Sequence, residues 1–316
     1  MNPVEVLDLR ECPRSGLYYG GAAGRKIGIL IEGVPWIAKF PRTTKDLEGR
    51  RLPSYTSSPV SEYIGSEIYR VLGIDTHEVK LGYREGKIVC ACRDFTYPDK
   101  RLVEFRELRN TVSDDSPGYH EVPSNGQGVF LNDVLVAIET LPELRETPGV
   151  KERFWDMFVV DALIKNPDRN NGNWGLLRSP DGSFELAPVY DNGSSLFNKR
   201  SASLAEERLA DERLVEQDAF GTNVSVYRLE DPERPEGRAI HPFEYMRQDQ
   251  NPDLVAAVQR IAARMDLHAI NEIINAVPNI AYGCVLLTDG QKQSHKELVR
   301  RRFEEGLAPL AELRSK

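Results

Sequence analysis

Short apolar runs broken by turn formers fill the first hundred residues. KIGILIEG and VPWIAKFP meet at a Glu-Gly pair, and HEVKLGY and KIVCACRDF flank Arg-Glu-Gly, so each pair predicts a hairpin. Between the hairpins, VSEYIGSEIYRVLGI sets Ile64, Ile68, Val71 and Leu72 at helical spacing, with Ser58-Pro59 as the start and Gly73 as the stop. From about residue 97 the pattern changes. Residues 127–143 and 150–165 read as long helices, and the second is apolar enough to be mostly buried. It runs into NPDRNNGN, whose turn formers end it. WGLLR and SFELAPVY then predict a short hairpin around Ser-Pro-Asp-Gly that leads into DNGSS. Residues 200–250 are polar and proline-rich, irregular with short helices, and 252–276 and 291–314 are helical again. The predicted class is α+β: a small β-rich portion over residues 1–96, then a larger, mainly helical portion over 97–316.

Composition narrows the possibilities. The chain is 40% hydrophobic and 28% charged, ordinary for a globular protein with a sizeable core. Its 41 Lys and Arg against 49 Asp and Glu give a net charge of −8, which argues against direct nucleic-acid binding, because coating phosphates needs a clustered basic surplus. No apolar run approaches bilayer length and the first residues lack the features of a secretory signal. No membrane partner is expected, and the cytoplasm is the expected compartment, with secretion as an effector left open. Cys90 and Cys92 share a strand face, and with only four cysteines they read as buried reduced thiols instead of a disulfide or zinc site. The five histidines are scattered without metal-ligand spacing.

The chemistry-bearing residues lie in two turn segments. Asp168 and Asn173 are separated by five positions, and Asp191-Asn192-Gly193 follows after the hairpin. Phosphoryl transfer from ATP needs a carboxylate to orient the acceptor hydroxyl and two oxygen ligands to hold Mg²⁺ against the phosphates. Protein kinases order these groups in the same way: a carboxylate, an amide five residues on, then an Asp-x-Gly turn. Upstream, Gly20, Gly21 and Gly24 form a glycine-rich turn suited to close backbone approach to phosphates. Lys39, flanked by Trp36, Ile37, Ala38 and Phe40, is an ammonium on an apolar strand that requires either exposure or an anion. Glu62 and Glu67 on the following helix are the two carboxylates within reach of that role, and Glu62 is the one favoured.

The stretches YYGGAAGRK, WIAKFPR, SPVSEYIGSEIYRVLGI, IVCACRDF, VVDALIKNPDRNNGNWGLL and LAPVYDNGSSLF together resemble the HipA-like serine/threonine kinases, in particular the short CtkA- and HipT-type members. The resemblance implies a bilobal protein-kinase-like fold, with ATP and Mg²⁺ as cofactors. It makes Asp168 the catalytic base, Asn173 and Asp191 the metal ligands, and Lys39 the phosphate-binding lysine. The stretch Cys92, Arg93, Asp94 and Phe95 becomes the hinge that holds adenine. A protein substrate with a serine or threonine acceptor, autophosphorylation, and a toxin role with an antitoxin partner belong to the same set of implications. A small-molecule or lipid kinase, or an inactive nucleotide-binding module, is the alternative. Two departures from the family pattern stand out: Ala22-Ala23 follow Gly21 where a hydroxyl residue is common, and Asn170 follows Arg169 where many members have histidine.

Overall fold

The computed structural model describes residues 2–20, 24–45, 52–111, 130–221, 224–249 and 251–313. The chain divides into two compact units. One comprises Met1–Phe95, Asp191–Thr222 and Arg264–Phe303; the other comprises Thr96–Tyr190, Asn223–Ala263 and Glu304–Lys316.

The first unit is built on a five-stranded sheet in the order β1-β4-β5-β3-β2. Its strands are β1 (Leu7–Asp8), β2 (Lys26–Ile31), β3 (Val34–Lys39), β4 (Val79–Arg84) and β5 (Lys87–Arg93), and α1 (Ser58–Val71) connects β3 to β4. Both predicted hairpins form. β2 pairs antiparallel with β3, and β4 with β5, whereas β1, which the sequence pattern does not announce, joins β4 in parallel. β5 is central, and five consecutive residues from Ile88 to Cys92 are buried, the continuous apolar run expected of a strand covered on both faces. The helix stripe runs Val60, Ile64, Ile68 and Leu72 at i, i+4 spacing, all buried. Val71 falls off that stripe and is exposed, a correction to its expected place, and Tyr69 is buried in its stead.

The second unit holds a three-stranded sheet of β6 (Arg101–Glu104), β7 (Gly175–Arg178) and β8 (Phe184–Leu186), in the order β6-β7-β8. β7 and β8 are the predicted hairpin; β6 and the short helix α2 (Phe105–Arg109) appear only in the structure. The helical run at 127–143 is broken. Of its described residues, Leu131–Thr140 form α3, and Pro142 opens a separate short helix, α4 (Pro142–Glu146), because a proline inside a continuing helix has no N–H to donate. Residues 127–129 lie outside the described residues. α5 (Val150–Ile164) is buried along its length apart from Lys151, Glu152 and Arg153. It ends at Lys165 in the left-handed region, φ 55°, just before the turn-forming loop.

Residues beyond 200 alternate between the units. α6 (Ala202–Leu209), α7 (Glu212–Glu216) and a π-helical turn, Gln217–Gly221, are followed by α8 (Pro242–Gln248). The predicted helix 252–276 is two helices, α9 (Pro252–Arg264) and α10 (Leu267–Ala276), because the Asp266 side chain accepts from the Ala269 backbone N–H and starts the second. α11 (Asp289–Arg301), a π-helical turn over Arg302–Leu307 and α12 (Ala308–Leu313) are the last described elements. Among the described residues no helix is long and apolar enough to cross a membrane.

Candidate active site

Lys39 is the last residue of β3, opposite Cys90 on β5. Its Nζ lies 3.1 Å from Glu62 Oε1 and 3.0 Å from Asp191 Oδ1. The side chains of Lys39 and Asp191 are 24% and 30% exposed, while that of Glu62 is 2% exposed. One ammonium therefore neutralises two carboxylates brought from a helix and from a loop far along the chain. Burial pushes the Lys39 ammonium down, but Asp191 and Glu62 outweigh it and hold its pKa well above the usual lysine value. For Glu62, burial pushes the carboxyl up. The Lys39 charge and a hydrogen bond from His77 prevail, so it stays ionised well below the usual carboxylate range. Glu67 pairs with Arg70, so of the two helix carboxylates it is Glu62 that meets Lys39.

His77 is a site residue that the sequence pattern does not disclose. Its Nε2 sits 3.1 Å from Glu62 Oε1 and 3.2 Å from Ser66 Oγ. A proton on Nε2 serves the carboxylate, which cannot itself donate. Burial pushes the imidazole below its ordinary pKa, against the pull of Glu62, so it is the neutral ring that donates. With Cys92, Glu62 and His77 form the group of potential ligand atoms that, among the described residues, all lie within 4.8 Å of one another. The Lys39 ammonium already on that carboxylate disfavours a second cation there. Cys90 and Cys92 approach to 3.9 Å between sulfurs, and all four cysteines are free thiols.

The segment Asp191–Asn198 is clamped to α1. Asn192, fully buried, donates from Nδ2 to Ser66 Oγ at 3.0 Å, and Ser195 Oγ donates to the Asn192 carbonyl at 2.7 Å. Asn198 Nδ2 donates to the Gly193 carbonyl at 2.6 Å, and the Ser57 N–H donates to the Asn198 carbonyl at 2.7 Å. Asp191 itself takes φ 61°, and Leu196 and Phe197 take φ 53° and 55°. Left-handed backbone is tolerable for Asp but unusual for two bulky residues in succession. Gly193 has a steric reason: a Cβ there would lie 3.0 Å from Glu62 Oε2 and 3.3 Å from the Ser58 carbonyl. The Asp-x-Gly turn and the lysine-binding carboxylate thus share one packing constraint.

The other sequence-predicted residues of this unit divide. Gly20 and Gly24 are exposed, with Gly24 against the Arg42 side chain; Gly21 lies outside the described residues. Cys92 is buried on β5, and Arg93 is exposed and paired with Glu78. The buried Asp94 accepts from the Tyr19 hydroxyl at 2.8 Å, and its N–H donates to the Pro35 carbonyl at 3.1 Å. Phe95 packs edge-on to His77, ring centroids 6.4 Å apart.

In the second unit, the loop Asn166–Asn173 is braced by a buried ion pair. Arg169 Nε donates to Asp161 Oδ2 at 2.9 Å and Nη2 donates to Oδ1 at 3.1 Å, a bidentate pair anchored to α5. Its Nη1 donates to the Asn173 carbonyl at 3.1 Å and to the carbonyl of Tyr190, the residue before Asp191. Asp168 is half-buried; Asn170 Nδ2 donates to its Oδ1 at 3.2 Å, and Asn173 Nδ2 donates to its backbone carbonyl at 2.6 Å. With its nitrogen so engaged, the Asn173 side chain keeps its oxygen as an acceptor. Trp174, next in the chain, stacks on Phe105 at 4.3 Å and packs against Phe154 at 5.6 Å, which fixes the loop's exit.

This arrangement is matched in known proteins. Residues 20–266 match the HipA-like C-terminal domain. The chain belongs to the HipA-like family. It is 32% identical over 282 residues to the serine/threonine-protein kinase CtkA of Helicobacter pylori, which covers 87% of this chain and 80% of the relative. The crystal structure of the proinflammatory kinase CtkA from H. pylori superposes with a TM-score of 0.84 at 27% identity, covering 99% of each chain. HipA from the Shewanella oneidensis MR-1 toxin–antitoxin system, solved with HipB and operator DNA, shares the fold at a TM-score of 0.52 and 14% identity, covering 95% of this chain and 67% of that one. The HipA-like chain thus has the expected α+β kinase-like fold.

Proposed function

We propose that this HipA-like serine/threonine kinase transfers the γ-phosphate of ATP to a protein hydroxyl with the aid of Mg²⁺. The observation that carries the reading is the ammonium of Lys39 held between Glu62 and Asp191, the lysine–glutamate pair and the Asp-x-Gly carboxylate that an active kinase needs together. Asp191 and Asn173 offer hard oxygen donors, the set that suits Mg²⁺, and they are the residues that would hold it. When bound, the metal supplies charge neutralisation at the phosphates.

The chain's own residues do the rest. Lys39 binds an α/β-phosphate while Glu62, itself held by His77, fixes where that ammonium points. Asp168 accepts the proton of the acceptor hydroxyl and orients its oxygen. Arg169 keeps the backbone beneath Asp168 and Asn173 in place through Asp161. Gly20 and Gly24 of the glycine-rich turn approach the phosphates, and the Cys92–Phe95 stretch receives adenine. Positioning and fixed charge account for the acceleration. The four free thiols accord with a reducing compartment, and the reading places the protein in the cytoplasm.

The test is radiolabel transfer from γ-labelled ATP to a serine/threonine protein substrate by wild type, Lys39→Met and Asp191→Asn, with and without Mg²⁺. Both variants, and wild type without metal, are expected to lose at least a hundredfold in rate. An Asp191→Asn protein as active as wild type would overturn the assignment.

A further inference from the structure

The first unit carries a second feature that shares only Gly24 with the phosphotransfer reading. A cleft of about 660 Å³ is lined by Arg25, Arg42, Lys45, Lys87 and Lys199, with Tyr55 and two threonines between them and, among the described residues, no carboxylate in its lining. Five cations in one concavity run against the chain's net charge of −8. Two of them are engaged: Arg25 pairs with Glu85 at 2.6 Å and lies over the Phe40 ring, and Lys87 lies over the Tyr55 ring at 4.3 Å. Among the described residues no carboxylate pairs with Arg42, Lys45 or Lys199, and each is exposed. Like charges gathered in a concavity repel one another and focus a positive potential into it. An anion relieves both effects.

We propose that this cleft binds a phosphorylated serine or threonine side chain, so that the kinase prefers partners already carrying a phosphate. A phosphomonoester near neutral pH carries close to two charges and three acceptor oxygens, which matches a guanidinium fork flanked by ammonium groups better than a lone carboxylate does. The cleft is also far larger than a phosphate group and leaves room for the backbone that bears it. Lys39, Glu62 and Asp191 are not among its lining residues, so the nucleotide reading does not account for its charge. The use of the site rests on the kinase reading; the binding itself does not.

The experiment is fluorescence anisotropy without nucleotide, on the full chain, using a peptide library with a fixed central phosphoserine, its unphosphorylated twin, and inorganic phosphate as competitor. The phosphorylated library is expected to bind at least tenfold more tightly, with affinity falling as salt rises. The triple variant Arg42→Ala, Lys45→Ala, Lys199→Ala is expected to lose that preference, keep wild-type circular dichroism and melting, and retain activity on unphosphorylated substrate. Three results would overturn the proposal: equal affinity for the two libraries, a preference that survives the triple variant, or displacement of the peptide by a non-hydrolysable ATP analogue, since Gly24 lies at the cleft's edge. Incubating wild type with ATP and Mg²⁺ beforehand separates the sources of the phosphate. Loss of peptide binding in wild type but not in Asp168→Asn assigns the cleft to the chain's own phosphorylated residue, and retention in both assigns it to a partner's. A failure of the Asp191→Asn test leaves this binding measurement intact, and a failure here leaves phosphotransfer standing.

Discussion

At the scale of single residues, the account turns on what holds one ammonium in place. Lys39 has two carboxylates and Glu62 has two donors, Lys39 and His77, so removing the charge of Glu62 loosens the whole set. Glu62→Gln keeps the shape but not the attraction. It is expected to lower kcat/KM ten- to a hundredfold, about 1.4 to 2.8 kcal/mol, and an unchanged kcat/KM would mean that the pair does not position the lysine. Buried histidines give the molecule a second residue-scale property. Burial pushes His295 down to about 3, with the Arg200 charge adding to it, and pushes His77 below its ordinary value. In the unfolded chain both titrate near 6.5, so below that pH the unfolded state binds more protons and stability falls as pH falls. From pH 7.5 to 5.5 urea unfolding is expected to show a loss of about 1 kcal/mol from His295, with His77 acting in the same direction; a slope unchanged in His295→Gln would refute that residue's share. Sequence alone offered Lys39, Glu62, Asp168, Asn173 and Asp191 because their types and order match what phosphoryl transfer needs. His77 gave no such signal, since its partner lies one helix away and a lone histidine before a strand has no spacing to read.

At the scale of elements, the hairpins, α1 and α5 were legible because their apolar periods are long and bounded by glycine or proline. The pattern erred where a local signal was outvoted. Val71 fits a helical count yet faces solvent, and 252–276 reads as continuous although Asp266 starts a new helix. β1 and β6 are short and find partners distant in sequence, so no local pattern marks them. The packing of α1 against the Asp191–Asn198 segment is likewise invisible until coordinates place Gly65. A Cβ at Gly65 would lie 2.8 Å from the Asn192 Cβ and 3.1 Å from Ser195 Oγ. Alanine gains about 1 kcal/mol of helix propensity, while overpacking against two buried residues costs about 1–3 kcal/mol. Gly65→Ala is therefore expected to lower both the melting temperature and the rate of phosphotransfer. A more stable, fully active variant would show that helix and loop are not packed as described.

For the molecule as a whole, the family match and the structural likeness to CtkA fix the class of fold and enzyme, while the roles of individual side chains are tested by substitution. Both units draw on three separate stretches of chain, an outcome of long-range contacts that sequence order does not announce. The net charge of −8 describes the average surface and conceals the basic cleft, so a composition that argues against nucleic acid as a main partner gives no sign of that local gathering of cations. The central claim is that Asp168 serves the acceptor hydroxyl and does not anchor the nucleotide. The most direct measurement follows Mg·ATP affinity and γ-phosphate transfer in the same preparation of Asp168→Asn. Affinity within about threefold of wild type, with transfer reduced by about 10² to 10⁴, is the predicted result. Transfer at the wild-type rate, or loss of nucleotide binding with turnover per bound ATP unchanged, would contradict it.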